Sequence, residues 1–159
     1  MRTISLLFAI ALACSLAAAQ TKISISGKCV PGESHSIEAG DHPGHVYTVS
    51  RFTCTYTKPF DIAGLKSKDF GGAGFQEDDG NKVREDHSSA VGSMDNGDKY
   101  YARAQRTITA KDEKSGIGHG TWNYTGGTGR LKGLKGGGTF KCTPEGDCDL
   151  EGEYSLPSK

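Results

Sequence analysis

The sequence predicts an all-β protein, a sandwich or barrel of antiparallel strands, and three observations carry that prediction. Past residue 20 no window places apolar residues at i, i+3, i+4 and i+7 for three turns, so the helical period is missing. Short runs rich in β-branched and aromatic residues recur at close spacing instead. "DNGD" (95–98) sets an Asn-Gly pair between two such runs, which is the strongest short-range hairpin signal.

The chain opens "MRTISLLFAIALACSLAAAQ". Arg2 supplies a positive n-region, residues 4–16 an apolar h-region, and Ala17 to Ala19 an A-x-A cleavage site. The apolar run is shorter than the roughly 20 residues that span a bilayer. Residues 1–19 therefore read as a signal peptide that removes Cys14 with it, and 20–159 as one β domain in the periplasm or outside the cell. No second long apolar run follows, so no membrane span is expected.

Within the domain, "TKISISGKC" (21–29) alternates, with Ile23 and Ile25 on one side. "HVYTVSRFTCTY" (45–56) is a second strand. Residues 57–81 mix Gly, Asp and Lys with isolated apolar residues, and read as one short strand around Phe75 or a long loop over one mouth of a barrel. "KVREDHSSAVGSM" (82–94) and "KYYARAQRTITA" (99–110) flank the Asn-Gly turn. "GIGHGTWNYT" (116–125), "GGTFKC" (137–142) and "CDLEGEYSL" (148–156) complete the set.

Charge and cysteines narrow the class. The chain has 19 basic and 19 acidic side chains. Loss of Arg2 with the leader leaves a net of about −1. Without a basic cluster, nucleic acid is not expected as the partner, because polyanion binding leans on many phosphate contacts. Cys29, Cys54, Cys142 and Cys148 remain, an even number in an exported chain. Three pairings are open to them. Cys142 and Cys148 flank "TPEGD", a hairpin loop that sets them face to face, which favours Cys142–Cys148 with Cys29–Cys54. No C-x-x-C spacing suggests zinc thiolates.

The stretch "GGTGRLKGLKGGGTF" (126–140) has the composition of a phosphate loop without its pattern. Lys132 and Lys135 are each followed by Gly, so the hydroxyl of a Walker sequence is missing. Gly136 to Gly138 open a strand and not the helix of a dinucleotide fold. The stretch reads as a corner. Glycines permit positive φ, and "RLKGLKG" makes one helical turn placing Leu131 and Leu134 on one face, able to plug a barrel end.

"TWNYTGGTGRLKGLKGGGTF" (121–140), with "EGEY" (151–154), resembles the G-G-T-G-[KR]-[FL]-x-G-x-x-G segment of the allene oxide cyclase barrel superfamily. That group also holds the dirigent proteins and small exported bacterial proteins without an assigned role, which this chain resembles most. Weaker similarity runs through "HVYTVSR" (45–51) and "DKYYARAQRTI" (98–108). The resemblance implies an eight-stranded antiparallel β-barrel with an internal cavity, a homotrimer in many members, no cofactor, and a small apolar molecule as partner. Its known enzymes steer cyclisation or coupling. The functional residues of the plant cyclases and dirigent proteins find no matching positions here. The resemblance thus carries the barrel and leaves two readings open: an isomerase or cyclase, and a non-catalytic ligand carrier or interaction protein.

Residues that can carry chemistry fall on alternating strand faces. His45, Tyr47, Val49 and Arg51 share one face of the second strand, against Val46, Phe52, Cys54 and Tyr56. Tyr101, Arg103 and Gln105 share another, as do His119, Thr121 and Asn123, opposite Trp122 and Tyr124. With polar faces inward, His45, Tyr47, Arg103, His119 and Glu153 converge on a proton-transfer site in which Arg103 holds an anion. With polar faces outward they form an ordinary wetted surface. Three histidines (His35, His42, His45) lie within eleven residues beside Asp41, a candidate zinc or copper set. Gly40 and Gly44 do not enforce a coordination geometry, so the histidines are read as solvated and no metal is assigned.

Overall fold

The computed structural model describes residues 20–79, 84–108 and 117–157. The leader expected at 1–19 lies outside the described residues, as do the ends of three expected strands at 82–83, 109–110 and 116. Among the described residues nine strands run in order: β1 (Thr21–Glu38), β2 (His45–Tyr56), β3 (Asp61–Ile62), β4 (Leu65–Asp79), β5 (Arg84–Met94), β6 (Lys99–Ile108), β7 (Gly118–Gly127), β8 (Lys135–Cys142) and β9 (Asp147–Ser155). A single 3₁₀ turn, Gly129–Leu131, separates β7 from β8. β3 pairs only with the start of β4. The other eight form a closed antiparallel ring, in which β2 pairs with β4 and β1 closes on β9. This is an eight-stranded barrel of neighbouring strands, the class the sequence predicts.

Alternation decides what fills it. Ile23 and Ile25 of β1, Tyr100 of β6, and Trp122 and Tyr124 of β7 are buried. Phe70, Ala102, Ala104, Phe140 and Leu150 pack against them. Burying each large apolar side chain contributes about 1.5–3 kcal/mol, which fixes the register, because a one-residue slip would expose every ring. Inward glycines make room for this filling. A Cβ at Gly92 would collide with the Tyr100 ring across the β5–β6 ladder.

One end is plugged. Phe60 and Ile62 from the β2–β4 connection and Leu65 at the start of β4 meet Met94, Leu131 and Leu134 there. Ile62 and Leu131 are 0% exposed. The glycine-rich stretch is therefore a corner with a plug, as its sequence suggests. Gly129 sits at φ 50°, and the amides of Leu131 and Leu134 bond to the carbonyls of Thr128 and Leu131 at 2.8 and 3.0 Å. Gly138 lies where β8 and β9 approach so closely that a Cβ would strike the Glu151 carbonyl.

Two segments depart from the sequence reading. Of the stretch 57–81, the described residues to 79 hold a long strand, β4 (Leu65–Asp79), and not a loop or short strand. β1 runs on to Glu38, through a bulge between Pro31 and Ser34 that absorbs the proline. Both favoured disulfides form, between directly opposed residues: Cys29 faces Cys54 across β1–β2, and Cys142 faces Cys148 across the β8–β9 hairpin. They point to an oxidising, non-cytoplasmic location. No helix among the described residues is long and apolar enough to cross a membrane.

Candidate functional site

Above the plug the barrel is hollow, with a cavity of about 350 Å³. Its cause is legible in the strand registers. Gly72, Ala90 and Ala102 lie side by side across β4, β5 and β6, and Gly74, Ser88 and Ala104 form the next row. Two adjacent rows of small side chains leave one wall thin. The facing wall is thick, with Ile25, Phe140 and Leu150, and the rings of Tyr56, Phe70, Tyr100, Trp122 and Tyr124 line the depth.

A polar row follows, toward the end that holds both disulfides. Gln76, Asp86 and Arg106 are direct neighbours across β4, β5 and β6, and all three line the cavity. Arg106 Nη2 donates to Asp86 Oδ2 at 2.5 Å. Gly118 keeps space for this guanidinium, since a Cβ there would lie 2.7 Å from Arg106 Nη1. The cavity thus grades from aromatic depth to a charged rim, an arrangement that suits an apolar body with one polar or anionic group.

The deep tyrosines keep their protons. Burial is the main reason the hydroxyls of Tyr56, Tyr100 and Tyr124 lie well above the usual tyrosine range, so all three stay neutral. The hydroxyls of Tyr56 and Tyr100 contact each other. The Tyr124 hydroxyl is buried and finds no partner among the described residues.

The five residues whose convergence required inward polar faces do not meet. Arg103 and His119 are exposed on the outer wall, while Trp122, Tyr124 and Tyr100 take the lumen. Glu153 lies on the outer face of β9, opposite Lys22 of β1. The apolar sets occupy the interior for the ordinary reason that their transfer from water is favourable. His45 and Tyr47 do come together, 4.9 Å between ring centroids, on the outer face of β2. Sequence reasoning missed Gln76, Asp86 and Arg106. The available signal was the pairing of each charged residue with small neighbours two and four positions away on the same face.

A second polar cluster surrounds His45, which is buried and not solvated. Its Nδ1 lies 2.8 Å from Asp41 Oδ1 and its Nε2 3.1 Å from Glu77 Oε1. Tyr47 donates to the same Glu77 oxygen at 3.2 Å. The Asp41 carboxylate, then Glu77, hold the His45 imidazole above its ordinary pKa against the opposing effect of burial. His42 Nδ1 lies 3.2 Å from Asp41 Oδ1 and its Nε2 2.7 Å from the Asp79 carbonyl. His35 stands apart, opposite Val49 and bonded to Glu33.

No protein-family model matches the chain, and no curated protein matches its sequence. Solved structures do share its shape. A protein of unknown function from the DUF3224 family of Shewanella oneidensis MR-1 superposes with a TM-score of 0.60 at 14% identity, over 88% of this chain and 100% of that one. Pyocyanin demethylase aligns at 0.46 and 16% identity, over 82% and 99% of the two chains. A pterocarpan synthase dirigent protein aligns at 0.44 and 11%, over 88% and 97%. At these identities the likeness concerns the fold: the chain has a barrel-like architecture in common with the DUF3224 protein.

Proposed function

We propose that this protein is an exported binding barrel for a small apolar molecule bearing one polar or anionic group. The observation that carries the reading is the cavity, ring-lined in its depth and rimmed by Gln76, Asp86 and Arg106. Its volume falls at the lower end of the roughly 300–1,000 Å³ typical of small-molecule sites. Rings and aliphatic side chains take the apolar body, and Arg106 attracts the polar group while Asp86 keeps the guanidinium in place. Trp122 is the one tryptophan of the chain and lines the cavity, so it reports on occupancy.

The test titrates the oxidised protein with 1-anilinonaphthalene-8-sulfonate, an aromatic anion, and follows Trp122 fluorescence. The reading expects saturable quenching at one site per chain. It also expects Ala104→Phe, which fills the cavity, and Arg106→Gln to weaken binding at least tenfold, while His119→Ala leaves it unchanged. Absence of quenching, or equal binding by the filled variant, would refute it.

A cofactor-independent isomerase is the second reading, and Asp86 favours it as the one carboxylate among the described lining residues. Beside Arg106 it is placed to move a proton on a bound molecule. Asp86→Asn would then abolish turnover of a converted ligand while leaving its binding within a few-fold. The homotrimer implied by the resemblance has a surface available on the outer wall, where Val49, Phe75, Val91 and Tyr101 are exposed. Sedimentation velocity of the wild type and of Phe75→Asp tests it, with a monomeric wild type as the adverse result.

A further inference from the structure

The cluster around His45 has the hydrogen-bond logic of a metal site, and it is separate from the cavity. Glu77, Asp78 and Asp79 of β4 lie directly across from Tyr47, Val46 and His45 of β2. This places carboxylates along one side of the histidines and makes the corner attractive to a cation. The tautomers follow from the outer partners. A carbonyl oxygen only accepts, so His42 Nε2, 2.7 Å from the Asp79 carbonyl, carries the hydrogen. Glu77 Oε1 likewise accepts from His45 Nε2 at 3.1 Å. In the neutral rings this leaves both Nδ1 atoms as lone-pair donors.

Both of those atoms face one carboxylate oxygen. Asp41 Oδ1 lies 3.2 Å from His42 Nδ1 and 2.8 Å from His45 Nδ1, and one ligand atom from each of the three residues falls within 4.8 Å of the others. Bonds of about 2.0–2.2 Å to a tetrahedral zinc ion set its ligands about 3.4 Å apart. Asp41 Oδ1 is near that separation from each nitrogen, and the ligand atoms of the three residues all lie within 4.8 Å of one another. The lone pairs that converge there call for positive charge between them, supplied by a proton on His45 Nδ1 or by a metal ion that replaces it. Glu77 and the Asp79 carbonyl hold the ring hydrogens on the far side, as the outer partners of metal-bound imidazoles do.

We propose that Asp41, His42 and His45 bind one zinc ion through Oδ1 and the two Nδ1 atoms, with a fourth position open to water. Glu77 and the Asp79 carbonyl act as positioning groups. His35, bonded to Glu33, takes no part.

The experiment uses the untagged, oxidised protein after dialysis against a chelator, titrated calorimetrically with zinc chloride. One zinc per chain with micromolar or tighter affinity is expected, together with a rise in melting temperature. Asp41→Asn and His42→Ala, both at exposed residues, should weaken binding at least tenfold. Glu77→Gln should cost 10- to 100-fold, the range seen when outer partners of metal-bound histidines are lost. His35→Ala should bind as the wild type does. Circular dichroism without zinc checks that each variant is folded. The proposal is overturned if the wild type takes up no zinc at micromolar metal, if His42→Ala binds normally, or if His35→Ala loses as much as His42→Ala.

Discussion

Replacing Tyr124 with Phe should make this barrel more stable. Tyr124 is 6% exposed, and its ring packs edge-on against Trp122 at 4.9 Å and Tyr100 at 5.5 Å. Phe keeps both contacts. What it removes is a buried hydroxyl that finds no partner among the described residues. A polar group buried without a hydrogen bond costs about 1–3 kcal/mol. For a domain of this size each kcal/mol is worth about 3–5 °C in melting temperature, so Tyr124→Phe should melt about 3–15 °C higher. The paired control has the opposite sign. Tyr56→Phe takes away the hydroxyl that Tyr100 contacts and leaves a buried orphan, so it should lower stability by about 1–3 kcal/mol. Urea unfolding followed by Trp122 fluorescence measures both. A Tyr124→Phe protein no more stable than the wild type would refute the argument, since the hydroxyl would then be satisfied.

Leu131→Ala and Leu134→Ala should each cost about 3–5 kcal/mol, as fully buried leucines do, and differential scanning calorimetry should place both far below an exposed change such as Val49→Ala. Opening Cys29–Cys54, which spans 25 residues, should cost about 3.5 kcal/mol, against about 2.2 for the six-residue Cys142–Cys148 loop; double-alanine variants in urea test the order. Asp98 has its pKa lowered by the Asn96 side-chain amide, then by the Arg130 backbone amide. Its ionised form is favoured in the folded state, so its stabilising effect is present above the unfolded-state pKa near about 4 and is lost as pH falls through the folded value. The melting temperatures of wild type and Asp98→Asn should therefore differ at neutral pH and converge in acid.

Legibility in the sequence followed the aromatic residues. β6 and β7 carry Tyr100, Trp122 and Tyr124 at even spacing, and their faces could be sorted from the period of two alone. β4 could not be read, because its inward positions include Gly72 and Gly74 where a period needs large side chains. Those same small residues make the cavity, so the hollow and the unreadable stretch have one cause. Which face lines the lumen was the harder question. Asp86 and Arg106 sit inward among Ser88, Ala90, Ala102 and Ala104, and a face of that composition looks wetted in sequence. Their partnership depends on the β5–β6 register, which no local spacing encodes. Asp41, His42 and His45 stood out as a local group, but Glu77, which bonds the His45 ring, comes from a strand the sequence did not reveal.

Closure of the ring by its first and last strands dictates an order of folding. Lys28 and Asp147, at the β1–β9 seam, are 119 residues apart. Joining them costs about 4 kcal/mol in chain entropy, against about 1.6 for a six-residue loop. Every other seam of the ring joins strands that follow one another closely in the chain. Hairpins form first and the seam last, and until then β1 and β9 each present an unpaired edge to any neighbouring chain. The disulfides do not wait for that step, since each joins neighbouring strands. Oxidation can therefore lock both ladders in an open sheet, and the hollow interior comes into being only when β9 pairs with β1.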